Sequence, residues 1–185
     1  VREHDPGNVE IACRIAKLAM CEGDWQGAAG VLERHAGSGH PAALRDLGVA
    51  LCKLHAAAPA GPAHRRGQGF LEEACELAPR DVDAICSLAG TWKETDPGRA
   101  ADLYRRAFEI DPTNPYPLGN LLLLQVAADR SLSCLATAGP TLSAAAARCR
   151  RQAEAGTNLP WALYDLGLFL LLGGRPHESF AAYAR

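Results

Sequence analysis

Between Val82 and Pro112 the apolar residues fall on two helical faces separated by a break. Ile85, Leu88, Ala89 and Trp92 recur at three- and four-residue spacing, which puts them on one side of a helix. Asp96-Pro97-Gly98 interrupts that pattern with strong turn formers. Ala100, Tyr104 and Ala107 then mark one face of a second helix, and Asp111-Pro112 stops it. The segment predicts a helical hairpin with an apolar seam.

The same frame recurs on both sides. Upstream, Leu44, Leu47, Gly48 and Leu51 repeat the first-helix spacing, and Gly67, Leu71, Ala74 and Pro79 repeat the second. Downstream, Leu163, Leu166, Gly167 and Leu170 repeat the first helix, followed by Gly174, Ser179 and Tyr183. Near the amino end Ala12, Ile15, Ala16 and Ala19 precede a turn at Gly23, then Ala28 and Leu32, with His40 before Pro41. A unit that repeats at this period buries its apolar face only against its neighbours.

These residues resemble the tetratricopeptide repeat, whose pattern W-x2-L-G-x2-Y, A-x3-F, P extends over about 34 residues. The resemblance covers nearly the whole chain as about four and a half units, at 9–40, 41–81, 82–114, 115–159 and 160–185. It implies an all-α fold, a right-handed superhelical α-solenoid of antiparallel helix pairs. Residues 1–185 are read as a single array cut from a larger protein, since the chain opens on Val1 and stops at Arg185 within a helical pattern.

Two units depart from the pattern. Extra residues at His55–Arg66 predict a lengthened turn in the second. In the fourth, the first helix is expected over Pro117–Ala128, with Leu122 where the small residue belongs. A connector with a short helical turn near Leu132–Ala136 follows, then a helix from Thr141 to about Ala155 with Ala145 and Cys149 inward.

Composition agrees with a helical protein. The 185 residues are 48% hydrophobic, rich in alanine and only 6% aromatic. A net charge of −2 lacks the basic surplus that phosphate recognition calls for. Seven cysteines (13, 21, 52, 75, 86, 134, 149) form no CxxC pair, and most sit at apolar helical positions. They read as buried small hydrophobes in a reducing, cytoplasmic setting. No signal peptide or membrane span is visible, because Leu163–Leu172 is interrupted by Asp165 and Gly167. The bias to Ala, Arg and Gly points to a bacterial source.

Catalytic and metal chemistry finds no footing. There is no P-loop, HExxH or GxSxG, and Gly67-Gln68-Gly69-Phe70, read as a helix start, matches no phosphate-binding pattern. His4, His35, His40, His55, His64 and His177 make no four-residue pairing with one another or with cysteine. Glu72, Glu73 and Glu76 read as a solvated face, as do Arg105, Arg106, Arg148, Arg150 and Arg151. No enzyme, cofactor or metal is expected.

The resemblance implies that first helices line a concave groove. In that register the candidate partner-binding residues are Lys17, Arg45, Val49, Lys53, Cys86, Lys93, Tyr116, Leu123, Trp161 and Tyr164. Their amino half leans basic and their carboxy half is apolar and aromatic, which suits a peptide with acidic and apolar portions. The lysine–asparagine clamp of chaperone-tail binders is missing, since Cys13 and Lys17, then Arg45 and Val49, hold the corresponding turns. The expected function is a protein- or peptide-binding scaffold. The alternatives are a structural spacer or an arm that self-associates through its carboxy-terminal end; nucleic-acid binding ranks lower, and no membrane partner is expected.

Overall fold

The structure, a computed structural model, describes residues 8–185, apart from the side chain of Cys134. His4 lies outside these residues. Among them, ten α-helices follow one another without a strand. They run as successive hairpins: α1 (Val9–Cys21) and α2 (Trp25–Leu32), α3 (Pro41–Leu54) and α4 (Pro62–Leu77), α5 (Val82–Trp92) and α6 (Pro97–Ile110). After these come α7 (Pro115–Asp129) and α8 (Gly139–Glu154), then α9 (Trp161–Leu172) and α10 (Pro176–Tyr183). Short 3-10 turns occupy Glu33–His35 and Ser133–Leu135.

Side-chain caps set where the first helices begin. Asn8 Oδ1 accepts from the Glu10 and Ile11 N–H groups at 3.0 and 3.2 Å. His40 Nδ1 accepts from Ala43 N–H at 3.3 Å, and Asn114 Oδ1 from Tyr116 N–H at 3.1 Å. Asp81 Oδ1 accepts from Asp83 and Ala84 N–H at 3.0 and 3.1 Å. Each cap satisfies donors that the first helical turn leaves open. Proline at the first turn of α3, α4, α7, α8 and α10 costs nothing there, because no intrahelical bond needs its missing N–H.

The turn expected over His55–Arg66 is shorter, because α4 already starts at Pro62. His64 is therefore a helical residue, buried, with its pKa lowered by that burial. Gly67 and Gly69 sit inside α4 instead of at a helix start. Gly67 is needed for contact: a Cβ there would meet Cys52 Sγ at 2.8 Å and Gly48 O at 3.0 Å. A Cβ on Gly48 would in turn meet Gly67 O at 2.7 Å. The α3 and α4 backbones thus touch, and two glycines permit it.

The chain divides into two compact units, one reaching to Leu103 and one from Tyr104 to Arg185. In the first, Ala16, Ala28, Leu32 and Leu47 are fully buried between α1, α2 and α3. In the second, Cys149 of α8, Phe169 and Leu170 of α9 and Ala182 of α10 share a core with Leu118 and Leu122 of α7. There α8 lies chiefly against α9 rather than α7. At the station where other first helices have glycine or alanine, α7 carries the buried Leu122. Ala145 and Cys149 are both buried, and the 3-10 turn falls inside the connector.

Cys13, Cys52, Cys75, Cys86 and Cys149 are buried and unbridged, while Cys21 is exposed. Burial pushes the Cys86 and Cys149 thiols up to about 12. These sulfurs stay protonated and serve as packing groups. Among the described residues no helix is long and apolar enough to cross a membrane.

Candidate functional site

In the amino-terminal unit Lys17 and Lys53 are exposed on α1 and α3. Val49 is half-buried one turn before Lys53. Lys93, just past the end of α5, is half-buried, and its pKa is lowered by burial and then by the Lys53 ammonium. Cys86 offers almost no surface, at 5% exposure.

Arg45 is not a free cation. Its Nε donates to Asp46 Oδ1 at 2.9 Å and its Nη1 to Asp81 Oδ2 at 3.1 Å. The Arg45 and Asp46 side chains are only 13% and 5% exposed. Asp81 thus caps α5 with one oxygen and ties α3 to α5 with the other. The basic lean of this unit's first helices reduces to Lys17, Lys53 and the half-buried Lys93.

In the carboxy-terminal unit Tyr116 stands exposed at the start of α7, its ring 6.2 Å from the fully buried Tyr104 and edge-on to it. Leu123 is exposed two turns on, at 44%. Trp161 and Tyr164 of α9 are 63% and 50% exposed, with ring centroids 6.0 Å apart. Tyr183 of α10 extends the row, 6.3 Å from Tyr164. The α9–α10 hairpin is fixed where Ser179 Oγ donates to Gly167 O at 2.7 Å and the Tyr183 ring covers Gly167.

Sequence reasoning misses two carboxylates. Asp46 and Asp165 each stand two residues before a small residue, in Leu44-Arg45-Asp46-Leu47-Gly48 and Leu163-Tyr164-Asp165-Leu166-Gly167. The near-identity of the two pentapeptides is the signal that could have found them. Among the described residues Asp165 has no hydrogen-bond or ion-pair partner, and burial alone pushes its carboxyl up to about 6.

That shift fixes a pH dependence. A carboxyl whose folded pKa lies above its unfolded value favours the fold when protonated, so the stabilisation is complete below about pH 4 and lost as pH rises through about 6. Asp165→Asn is expected to raise stability at pH 7 by about 1–2 kcal/mol, allowing for partial solvent access, and to add nothing at pH 4. Urea unfolding of both proteins at the two pH values reads the difference; a gain equal at both would contradict it.

Several exposed arginines are paired with carboxylates. Arg175 donates to both carboxylate oxygens of Glu178, at 2.6 and 2.5 Å, and Arg150 lies 3.6 Å from the same group. Arg99 pairs with Glu72 at 2.6 Å and lies over the Trp92 ring at 4.1 Å. Among the described residues no three His, Cys, Asp or Glu side chains gather as a metal site requires.

Solved structures with the same arrangement of helices identify the architecture. A thermophilic TPR protein of Thermus thermophilus superposes with a TM-score of 0.66 at 17% identity, covering 96% of this chain and 89% of its own. The fold is that of the tetratricopeptide repeat. MamA AMB-1 is similar at TM-score 0.58 and 18% identity, with 95% and 92% covered. MamA from Desulfovibrio magneticus RS-1 gives 0.57 and 14%, with 98% and 93% covered. No family model matches the chain, and no curated protein matches it in sequence. In repeat terms, Gly48, Ala89 and Gly167 are the small residues of the first helices, and Tyr104 and Tyr183 are aromatic positions of the second.

Proposed function

We propose that this chain is a protein- or peptide-binding module that uses the outward residues of its first helices, and that it is not an enzyme. The observation that carries this reading is the exposure of large aromatic and apolar side chains on α7 and α9. Trp161, Tyr164, Tyr116 and Leu123 are 63%, 50%, 46% and 44% exposed. Large rigid rings that remain in water are the side chains that anchor partners most strongly. Lys17 and Lys53 add charge on α1 and α3 that no carboxylate among the described residues is seen to neutralise.

Charge reversal tests the amino-terminal face only where the charge is not structural. Lys17→Glu/Lys53→Glu is expected to weaken an acidic peptide held by the amino-terminal unit about tenfold by loss of electrostatic complementarity. Arg45 is excluded from that variant because its loss strands Asp46. Unchanged affinity in the lysine pair, together with unchanged affinity in Trp161→Ala/Tyr164→Ala, would remove first-helix binding.

A second reading, self-association, rests on Phe180 and Leu171 near the carboxy-terminal end, 77% and 52% exposed. It predicts sedimentation that depends on concentration and is abolished by Phe180→Asp. A monomer at all concentrations would remove it.

A further inference from the structure

The pentapeptides Leu44-Arg45-Asp46-Leu47-Gly48 and Leu163-Tyr164-Asp165-Leu166-Gly167 differ at one position, where arginine stands in α3 and tyrosine in α9. In α3 the arginine answers the carboxylate directly, with Nε 2.9 Å from Asp46 Oδ1. In α9 the same register position holds an aromatic ring, and among the described residues Asp165 is left without a cation or a hydrogen-bond donor. A half-buried carboxylate in that state carries a desolvation cost that an incoming cation would offset.

The surroundings select the cation. Trp161 and Asp165 lie one turn apart on the same face of α9, with Tyr164 beside them. The centroids of Trp161 and Tyr164 are 6.0 Å apart, those of Tyr164 and Tyr183 6.3 Å, and all three rings keep a large part of their surface in water. The Tyr183 hydroxyl feels the Asp165 charge, which raises its pKa after burial has done so. Aromatic faces attract cations, and a guanidinium also stacks flat on a ring while its fork meets a carboxylate. This chain already places arginine over aromatic rings, with Arg99 over Trp92 at 4.1 Å and Arg66 over Phe70 at 5.2 Å.

We infer that the α9 face of the carboxy-terminal unit is a docking site for an arginine side chain of a partner peptide, held by the Asp165 carboxylate and the rings of Trp161 and Tyr164. The inference rests on the first-helix binding reading and gives it a chemistry. Here the partner supplies the cation that Arg45 supplies internally in α3.

The test is selection of a random twelve-residue peptide library, displayed on phage, against the whole 185-residue chain. Expected are peptides enriched in arginine flanked by apolar residues. A synthetic peptide from that set should lose about tenfold in affinity for Asp165→Asn and for Trp161→Ala, both of which should fold as judged by circular dichroism. The Asp165 carboxyl, followed by carbon NMR, should titrate at lower pH once the peptide is bound. Asp165→Lys should restore binding to a peptide whose arginine is replaced by glutamate. Peptides that bind without basic enrichment, or that Asp165→Asn leaves unaffected, overturn the arginine site while leaving first-helix binding standing. Selection of no peptide at all counts against both.

Discussion

Gly48→Val is expected to lower the unfolding free energy of the amino-terminal unit by about 3 kcal/mol, near the upper end for overpacking a close helix pair. Two of the three atoms in the way are main chain: Gly67 O would lie 2.7 Å from a Cβ at this position and Leu71 N 3.1 Å, with the Leu71 Cγ also at 2.7 Å. A side chain could rotate aside, whereas a carbonyl in α4 moves only if the helix moves. The hairpin would have to open, exposing Leu71, which is fully buried. Gly69, two residues along α4, is the control. Nothing lies within 4 Å of a Cβ there, so Gly69→Ala should stabilise the fold by about 0.5–1 kcal/mol through helix propensity. Urea unfolding followed by circular dichroism separates the two. Equal midpoints for Gly48→Val and the parent chain would contradict the close approach.

Arg45→Ala should cost about 3 kcal/mol, because it leaves an ionised carboxylate buried with no partner. Asp46 is 5% exposed at its side chain, and its Oδ2 already lacks a hydrogen bond, so the Arg45 contact is its whole compensation. The tie to Asp81 on α5 is lost in the same step. Replacing both partners with apolar residues, Arg45→Met/Asp46→Leu, should recover most of the loss, since no charge is then stranded. The cost should persist in about 0.5 M salt, because screening acts weakly on a pair this buried. Exposed pairs such as Arg66–Glu33 and Arg99–Glu72 should each give less than about 1 kcal/mol by the same measurement. A double variant as unstable as the single one would overturn this account of Asp46.

The hairpin frame is legible in the sequence because its signals are local. Apolar residues at helical spacing, Gly23, Gly48 and Gly167 at their stations, and the prolines after each stop all act within a few residues. The start of α4 is not legible, since Pro62 reads as a loop residue although the first helical turn accepts it. Gly67 and Gly69 look alike in the chain, but only the partner helix shows that one is obligatory and the other open to substitution. The working face is harder. Arg45 reads as a groove cation, yet its partner Asp81 lies 36 residues away, and only the folded chain consumes that charge. Cys86 shares the groove register but is buried. Register alone anticipates that Tyr116, Trp161 and Tyr164 are exposed, whereas Asp165 reads as a mere interruption of an apolar run. Its significance needs two facts at once: the carboxylate is half-buried, and the arginine that answers it in the matching pentapeptide is absent.

The most direct measurement of the central claim is amide chemical-shift mapping of the isotope-labelled chain with a selected peptide bound. First-helix binding of an arginine-bearing peptide to the carboxy-terminal unit predicts the largest changes at Tyr116, Leu123, Trp161, Tyr164 and Asp165. Changes concentrated on the second helices, around Arg105, Arg106 and Arg150, would contradict it.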